Sequence, residues 1–255
     1  MLRYKIHRIT HFELFKNLFR KSKSTKMSWF ARDNMSNEDL IKQLSTERVV
    51  KSEAVKKAML AVDRCHFAPA HPYMDCPQPI GFGATISAPH MHAHAAEVLK
   101  DKIKHGAKVL DVGSGTGYLC AVFALMVGNT GKVVGIEHIP QLVEKSIDNI
   151  KNWNKHYLDN GVIKLIAGDG RKGYAEEAPY DAIHVGASIS EVPKQLTDQL
   201  AIGGRLVIPV GEEYSYQYLT KIDKLEDGSL RREKLCAVGF VPLTDRDKQI
   251  RGTIY

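Results

Sequence analysis

No apolar run in this sequence approaches the ~20 residues of a membrane-spanning helix, and nothing in its 255 residues is of low complexity. Cysteine is scarce: Cys65, Cys76, Cys120 and Cys236 form no C-x-x-C pair and no metal-finger spacing. That excludes a disulfide scaffold and a zinc module, and the four read as reduced thiols of an intracellular protein. Acidic residues are almost missing from positions 1–26, where Glu13 alone stands against eight Lys and Arg. This stretch accounts for the whole formal charge of +7, so the rest of the chain is balanced. A balanced body with its basicity in one tail gives no support for a nucleic-acid groove.

Phe12, Phe15 and Phe19 sit at helical spacing within that tail. The composition fits a mitochondrial transit peptide, or else a basic tail ahead of a domain that begins near Met27. The expected location is therefore the cytoplasm, with the mitochondrion as the alternative if residues 1–26 act as a transit peptide. With 44% hydrophobic and 25% charged residues overall, positions 27–255 suit one large α/β domain.

The most informative stretch is Lys108-Val-Leu-Asp-Val-Gly-Ser-Gly-Thr-Gly-Tyr-Leu119. Val109, Leu110 and Val112 form a short buried strand, and Gly113, Gly115 and Gly117 follow at every second position. The apolar segment Tyr118–Val127 then predicts a helix packed on the sheet. A strand, glycine turn and helix make a nucleotide cradle, because glycine lets the backbone approach a ligand and the helix start offers free N–H groups. The dinucleotide pattern G-x-G-x-x-G fails, since Tyr118 stands where its last glycine belongs. Glu137 ends a second strand, Lys132–Ile136, where an acid can accept from both ribose hydroxyls. Asp169, in Gly168-Asp-Gly170 after the strand Val162–Ala167, can accept from an exocyclic amino group.

Ser36 and Ser52 predict capped starts for two helices that support the sheet edge. The Pro- and Gly-rich stretch from Asp63 to Pro89 reads as an ordered loop over the cofactor mouth. A helix is expected from Pro89 to about Lys104. Its His90, His92 and His94 hold no metal in this reading, because only His90 and His94 share a face and no third ligand is near. A fourth strand spans Tyr180–Val185, with His184 as a satisfied core histidine. A helix over Val192–Leu200, stopped by Gly203-Gly204, precedes a fifth strand at Arg205–Val210, and Tyr216–Val241 reads as a hairpin turning at Glu226–Ser229.

On the glycine motif the chain resembles the Rossmann-like S-adenosylmethionine-dependent methyltransferases, which implies a mainly parallel sheet with a C-terminal antiparallel hairpin. The D/N-P-P-Y/F motif usual in enzymes methylating amino nitrogens is absent. The blocks Pro72-Tyr-Met-Asp75, Ala84-Thr-Ile-Ser-Ala-Pro-His-Met-His92, Gly168-Asp-Gly-Arg171, Gly173–Gly186 and Val241-Pro-Leu-Thr244 narrow the resemblance to the protein-L-isoaspartate (D-aspartate) O-methyltransferases, from about Met27 onward. That resemblance implies Ser87 as the active-site residue. It places Ala84, Thr85, Ile86, Ser87 and His92 at the cofactor and substrate mouth. Around the cofactor it places Thr116, Glu137, His138, Asp169, Gly170, Thr244 and Gln249, beside Asp111, Gly113, Ser114 and Gly115 of the glycine turn. Glu137 departs from the Asp of many relatives, although either acid can hold a ribose.

The implied activity is methyl transfer to the free α-carboxylate of L-isoaspartyl residues in damaged proteins, with D-aspartyl residues as a further expected substrate, initiating repair through a succinimide. The implied cofactor is S-adenosyl-L-methionine and the enzyme is expected to be a monomer. A carboxylate is ionised near neutral pH, so no general base is needed, and the sequence offers no Ser-His-Asp arrangement. A small-molecule O-methyltransferase, a non-catalytic cofactor-binding protein and a dehydrogenase are the competing readings.

Overall fold

The computed structural model describes residues 35–212 and 215–252, so the tail at 1–26 lies outside the described residues. Helix α1 (Asn37–Thr46) begins on a capping box: Asp39 N donates to Ser36 Oγ (3.1 Å), and Ser36 N donates to Asp39 Oδ2 (3.0 Å). Its Leu40, Ile41 and Leu44 are fully buried. Ser52 caps α2 (Glu53–Ala61), and Asn37 Nδ2 ties the two helices by donating to Met59 O. Both caps stand where the sequence pattern put them.

The stretch expected to be irregular contains a 3₁₀ turn at Arg64–His66 and a hairpin of β1 (Gln78–Gly81) and β2 (Ala84–Ile86). Its turn, Gly81-Phe82-Gly83, takes positive φ at all three residues. The two flanking glycines were the local signal for it, while Pro79 obscured the strand pattern. Helix α3 (Pro89–Leu99) is shorter than expected. Lys102 N and Ile103 N both return to Leu99 O, and the chain then turns at Gly106 (φ 82°) to enter the sheet.

The nucleotide-cradle unit follows as β3 (Lys108–Val112), α4 (Tyr118–Val127) and β4 (Lys132–Glu137). Next come α5 (Pro140–Asn154), α6 (His156–Asp159), β5 (Ile163–Ala167), β6 (Tyr180–Val185), α7 (Lys194–Asp198), β7 (Leu200–Val210), β8 (Gln217–Lys224), β9 (Leu230–Val238) and α8 (Arg246–Gly252). The order in the main sheet is β5-β4-β3-β6-β7-β8-β9, parallel through β7 and antiparallel beyond it. The expected parallel sheet with a terminal hairpin is therefore present. The expected helix 192–200 is reduced to Lys194–Asp198, because Leu200 already pairs with Tyr180 in β7. Gly203-Gly204 does not stop a helix. It forms an irregularity inside β7, where a Cβ on Gly204 would sit 3.0 Å from Tyr180 O and 3.1 Å from Asp181 O on the neighbouring strand.

Alternate residues along the strands feed two apolar layers. Val109, Val133, Ala182 and Val207 pack with α1 to α5, whereas Leu110, Val134, Ile183 and Leu206 pack with Tyr180, Leu196 and Ile222 on the other face. The first layer is dense at Gly135: a Cβ there would lie 2.6 Å from Leu165 Cδ2 and 2.7 Å from Cys120 Sγ. Gly135→Ala should therefore cost about 1–3 kcal/mol by overpacking. Urea denaturation measures it, and a loss under about 0.5 kcal/mol would mean that Leu165 yields freely.

Candidate active site

The cleft opens where the sheet order reverses. β3 has β4 on one side and β6 on the other, and the loops after these strands diverge to leave a crevice at their C-terminal ends. Gly113 N and Ser114 N both donate to Ile136 O, while Gly186 N donates to Val112 O, so the glycine turn is pinned to both neighbours. Gly113, Gly115 and Gly117 all have positive φ, and at Gly115 a Cβ would come within 3.1 Å of Ile80 Cδ1 in the hairpin above. Glycine is required there both for backbone conformation and for the closeness of the hairpin.

Two adjoining pockets share Thr85, Gly113, Gly115 and Gly186; they enclose about 550 and 360 Å³ of open cleft. The larger is bordered by Ala84, Glu137, His138, Asp169, Gly170, Thr244 and Gln249. The smaller is bordered by Ile86, Ser87, His92, Asp111, Ser114 and Thr116. Every residue expected at the site thus borders this one crevice, although the residues come from β2, α3, the ends of β3 to β5 and the C-terminal segment. Sequence reasoning missed Ile80, Tyr118, Leu119, Gly186, Ala187 and the run Val241–Leu243. The last of these is brought in by tertiary pairing: Ser188 N donates to Val241 O, and Leu243 N to Ser188 O.

In the larger pocket Glu137 is buried, and its two oxygens accept from Gly115 N and Ile139 N, both at 3.1 Å. The backbone thereby fixes the carboxylate and leaves it further lone pairs for a ligand. Asp169 binds the Arg171 guanidinium and its backbone N–H, and this pairing lowers its pKa from the usual carboxylate value. Arg171 also reaches Asp245, joining the loop after β5 to the start of α8. Gln249 crosses the mouth, with Nε2 donating to Phe82 O (2.9 Å) and Oε1 3.0 Å from His138 Nε2.

The smaller pocket is lined by two buried imidazoles. Arg64 Nη1 lies 3.0 Å from His92 Nδ1. Arginine only donates, so Nδ1 is the acceptor and the proton sits on Nε2. Burial, then the Arg64 charge, hold the His92 pKa well below that of an ordinary histidine. His184 has the opposite arrangement: its Nδ1 is 2.7 Å from Asp111 Oδ1 and donates to it. Cys120 Sγ donates to the other oxygen of Asp111 (3.2 Å), and burial is the main cause that raises the thiol pKa well above its usual value. Asp111 accordingly forms part of the wall of the cleft with both its oxygens already engaged. His184 is the satisfied core histidine that the sequence suggested, and it also borders the crevice. His90 is taken by Asp75, and His94 Nε2 lies 3.9 Å from Cys236 Sγ. Tyr118 OH and Thr116 Oγ1 are buried without a partner among the described residues, and burial pushes the Tyr118 hydroxyl up to about 12.

A family model described as Protein-L-isoaspartate(D-aspartate) O-methyltransferase (PCMT) matches residues 35–248. The chain is 50% identical over 223 residues to a Protein-L-isoaspartate O-methyltransferase of Caenorhabditis elegans, covering 88% of this chain and 98% of that protein. It is 48% identical over 230 residues to Protein-L-isoaspartate O-methyltransferase 1 of Arabidopsis thaliana, covering 89% and 99%. A Plasmodium falciparum crystal structure in complex with S-adenosyl-L-homocysteine superposes with a TM-score of 0.78 at 36% identity, covering 83% of this chain and 99% of that one.

The neutral state of His92 sets a pH dependence. Because its folded pKa is lowered, unfolding takes up a proton below the unfolded value of about 6.5, and the stability conferred by the neutral ring is lost as pH falls. The slope attributable to it approaches about 1.4 kcal/mol per pH unit. Urea unfolding of wild type and His92→Gln from pH 8 to 5 should show a shallower loss in the variant; parallel curves would assign the acid sensitivity elsewhere.

Proposed function

The chain belongs to the protein-L-isoaspartate(D-aspartate) O-methyltransferase family, and from that premise we propose how its residues share the work. It is an S-adenosylmethionine-dependent enzyme that methylates the free α-carboxylate of L-isoaspartyl residues in damaged proteins, which initiates repair through a succinimide. The observation that carries the assignment of roles is the convergence of all the expected site residues on one crevice at the switch point of the sheet.

The crevice fits the cofactor. Glu137 is preset by two backbone amides and retains acceptor positions, Thr116 Oγ1 is buried without a partner, and the glycine turn leaves no Cβ in the way. When bound, S-adenosylmethionine would supply an electrophilic methyl on a sulfonium, whose transfer to an ionised carboxylate calls for no proton to be moved by the protein. Glu137 would hold the ribose hydroxyls, Asp169 an exocyclic amino group, and the Gly113–Thr116 turn the backbone-facing side. His138 and Gln249 close the mouth against the hairpin. Ser87, beside His92, would orient the substrate carboxylate through its hydroxyl. The 63–89 segment keeps water from the reacting pair, and alignment there supplies rate that no general base could add.

The released ester leaves more readily than a carboxylate, so the next backbone nitrogen can close a succinimide whose hydrolysis regenerates some normal aspartate. This reading extends to D-aspartyl residues, to a monomer whose crevice is complete within one chain, and to residues 1–26 as dispensable for catalysis because the family match begins at 35. All four cysteines are free thiols, which supports a reducing compartment. The cytoplasm is our reading, with the mitochondrion as the alternative if residues 1–26 act as a transit peptide.

Two peptides that differ only in an isoaspartyl or normal aspartyl link test the substrate, with labelled methyl counted as base-labile ester. The isoaspartyl peptide should be labelled at least roughly a hundredfold faster, since reach and angle rather than charge distinguish the two. Equal rates would leave only a general carboxyl methyltransferase. Ser87→Ala should lower kcat/KM about 10- to 100-fold, the scale of one hydrogen bond to a charged group. S-adenosylhomocysteine affinity, read by calorimetry, should stay within about twofold; wild-type turnover in this variant would reduce Ser87 to a packing residue. A chain starting at Met27 should keep full turnover, and its failure to fold or react would give the tail a structural part.

A further inference from the structure

Arg64 is the largest fully buried side chain among the described residues, and none of them forms an ion pair with it: Asp75, the one carboxylate whose charge acts on it, does so through space and is itself bound to His90. Its guanidinium instead donates to Ser87 O through Nη2 (2.7 Å) and to His92 Nδ1 through Nη1 (3.0 Å), and it lies 5.2 Å from the centre of the Tyr118 ring. Among the described residues its Nε has no partner. A buried cation without an ion pair is costly, and removing water from around it strengthens its field on whatever lies beside it. All three groups it touches, Ser87, His92 and Tyr118, border the smaller pocket, so the charge lies one residue behind that wall.

We propose that Arg64 is the charge-selecting and positioning residue for the substrate carboxylate, and that the isoaspartyl anion is the counter-ion the buried guanidinium lacks. This rests on the reading of the smaller pocket as the carboxylate subsite. Arg64 acts in three ways. It fixes His92 as an Nε2–H donor, because an arginine cannot accept. It engages the Ser87 carbonyl, which sets the backbone from which the Ser87 hydroxyl projects. Across a water-poor wall it attracts an anion but not a neutral group. Methylation converts the bound anion into a neutral ester, so the same charge that favours substrate entry ceases to hold the product. Selection of substrate over product is then built into the fold.

The test compares three peptides identical except at one group: the isoaspartyl carboxylate as substrate, and its methyl ester and its isoasparaginyl amide as inhibitors. Wild type should take the carboxylate with a KM at least roughly tenfold below the Ki of either neutral peptide. Arg64→Met, which keeps length and loses charge, should raise that KM to near the neutral Ki values while S-adenosylhomocysteine affinity stays within about twofold. Arg64→Lys, with the charge but without the planar fork, should keep part of the carboxylate preference and lose kcat. His92→Gln, whose amide can accept from Arg64 and still present an N–H, should keep the preference. If Arg64→Met does not fold, Arg64→Gln, which also removes the charge while keeping an N–H for Ser87 O, is read in its place and should show the same loss of preference.

An unchanged carboxylate preference in Arg64→Met overturns the proposal, as does equal loss of binding for all three peptides, which marks a merely structural residue. Failure of the wild type to methylate the isoaspartyl peptide at all would instead sink the reading of the subsite on which the proposal stands.

Discussion

The hydrogen bond from His184 to Asp111 joins β3 to β6 at the point where the sheet order reverses, and the site depends on it. The two residues are paired in register across the strands, and both are almost wholly buried. Their parity along the strands puts them on the layer that packs against α4, where Cys120 completes the set and Phe123 meets the imidazole edge-on. A polar bond at this depth is strong if satisfied and costly if broken. It therefore holds the ends of β3 and β6 in one geometry just before each enters its glycine turn. Loss of Asp111 would leave the buried His184 Nδ1 without its acceptor, and loss of His184 would leave Asp111 with the weak Cys120 thiol donor alone.

Three carboxylates stand at the ends of three successive strands, Asp111, Glu137 and Asp169, and in the sequence they look alike. What separates them is their partners. Asp111 is consumed by His184 and Cys120, so it builds the wall. Glu137 is held by two backbone amides and faces the crevice with acceptor capacity to spare. Asp169 is bound to Arg171, whose second bond to Asp245 reaches the C-terminal helix, so its orientation depends on a contact made late in the chain. An acid at a strand end is legible as a pattern; its partner generally is not, because the partner is set by tertiary packing.

The same division runs through the fold. The unit from Lys108 to Val127, the caps at Ser36 and Ser52 and the terminal hairpin were legible because each depends on local spacing or local hydrogen bonds. The ends of α3 and α7 were not. The helical pattern continues past Leu99 and Asp198, and what stops each helix is the need to enter a strand. Gly203-Gly204 illustrates the ambiguity: glycine serves both as a helix stop and as a point of close backbone approach, and only the neighbouring carbonyls of Tyr180 and Asp181 decide between them. Val241–Leu243 belonged to a block that carried the family resemblance, but their place at the crevice was not legible, since they reach it through pairing with Ser188.

The two imidazoles of the smaller pocket set the direction in which an anion can sit. A carboxylate needs donors. His92, protonated at Nε2 because Arg64 occupies Nδ1, is one; Ser87 is another. His184 spends its Nδ1 proton on Asp111, so that donor is not open to an anion. The donors that remain, His92 Nε2 and the Ser87 hydroxyl, would confine a carboxylate to the α3 side of the pocket. That confinement is a geometric demand rather than a proton-transfer one, in keeping with a nucleophile that is already ionised. It requires that each ring be oriented by a partner of its own, Arg64 from behind the wall for His92 and Asp111 within the wall for His184.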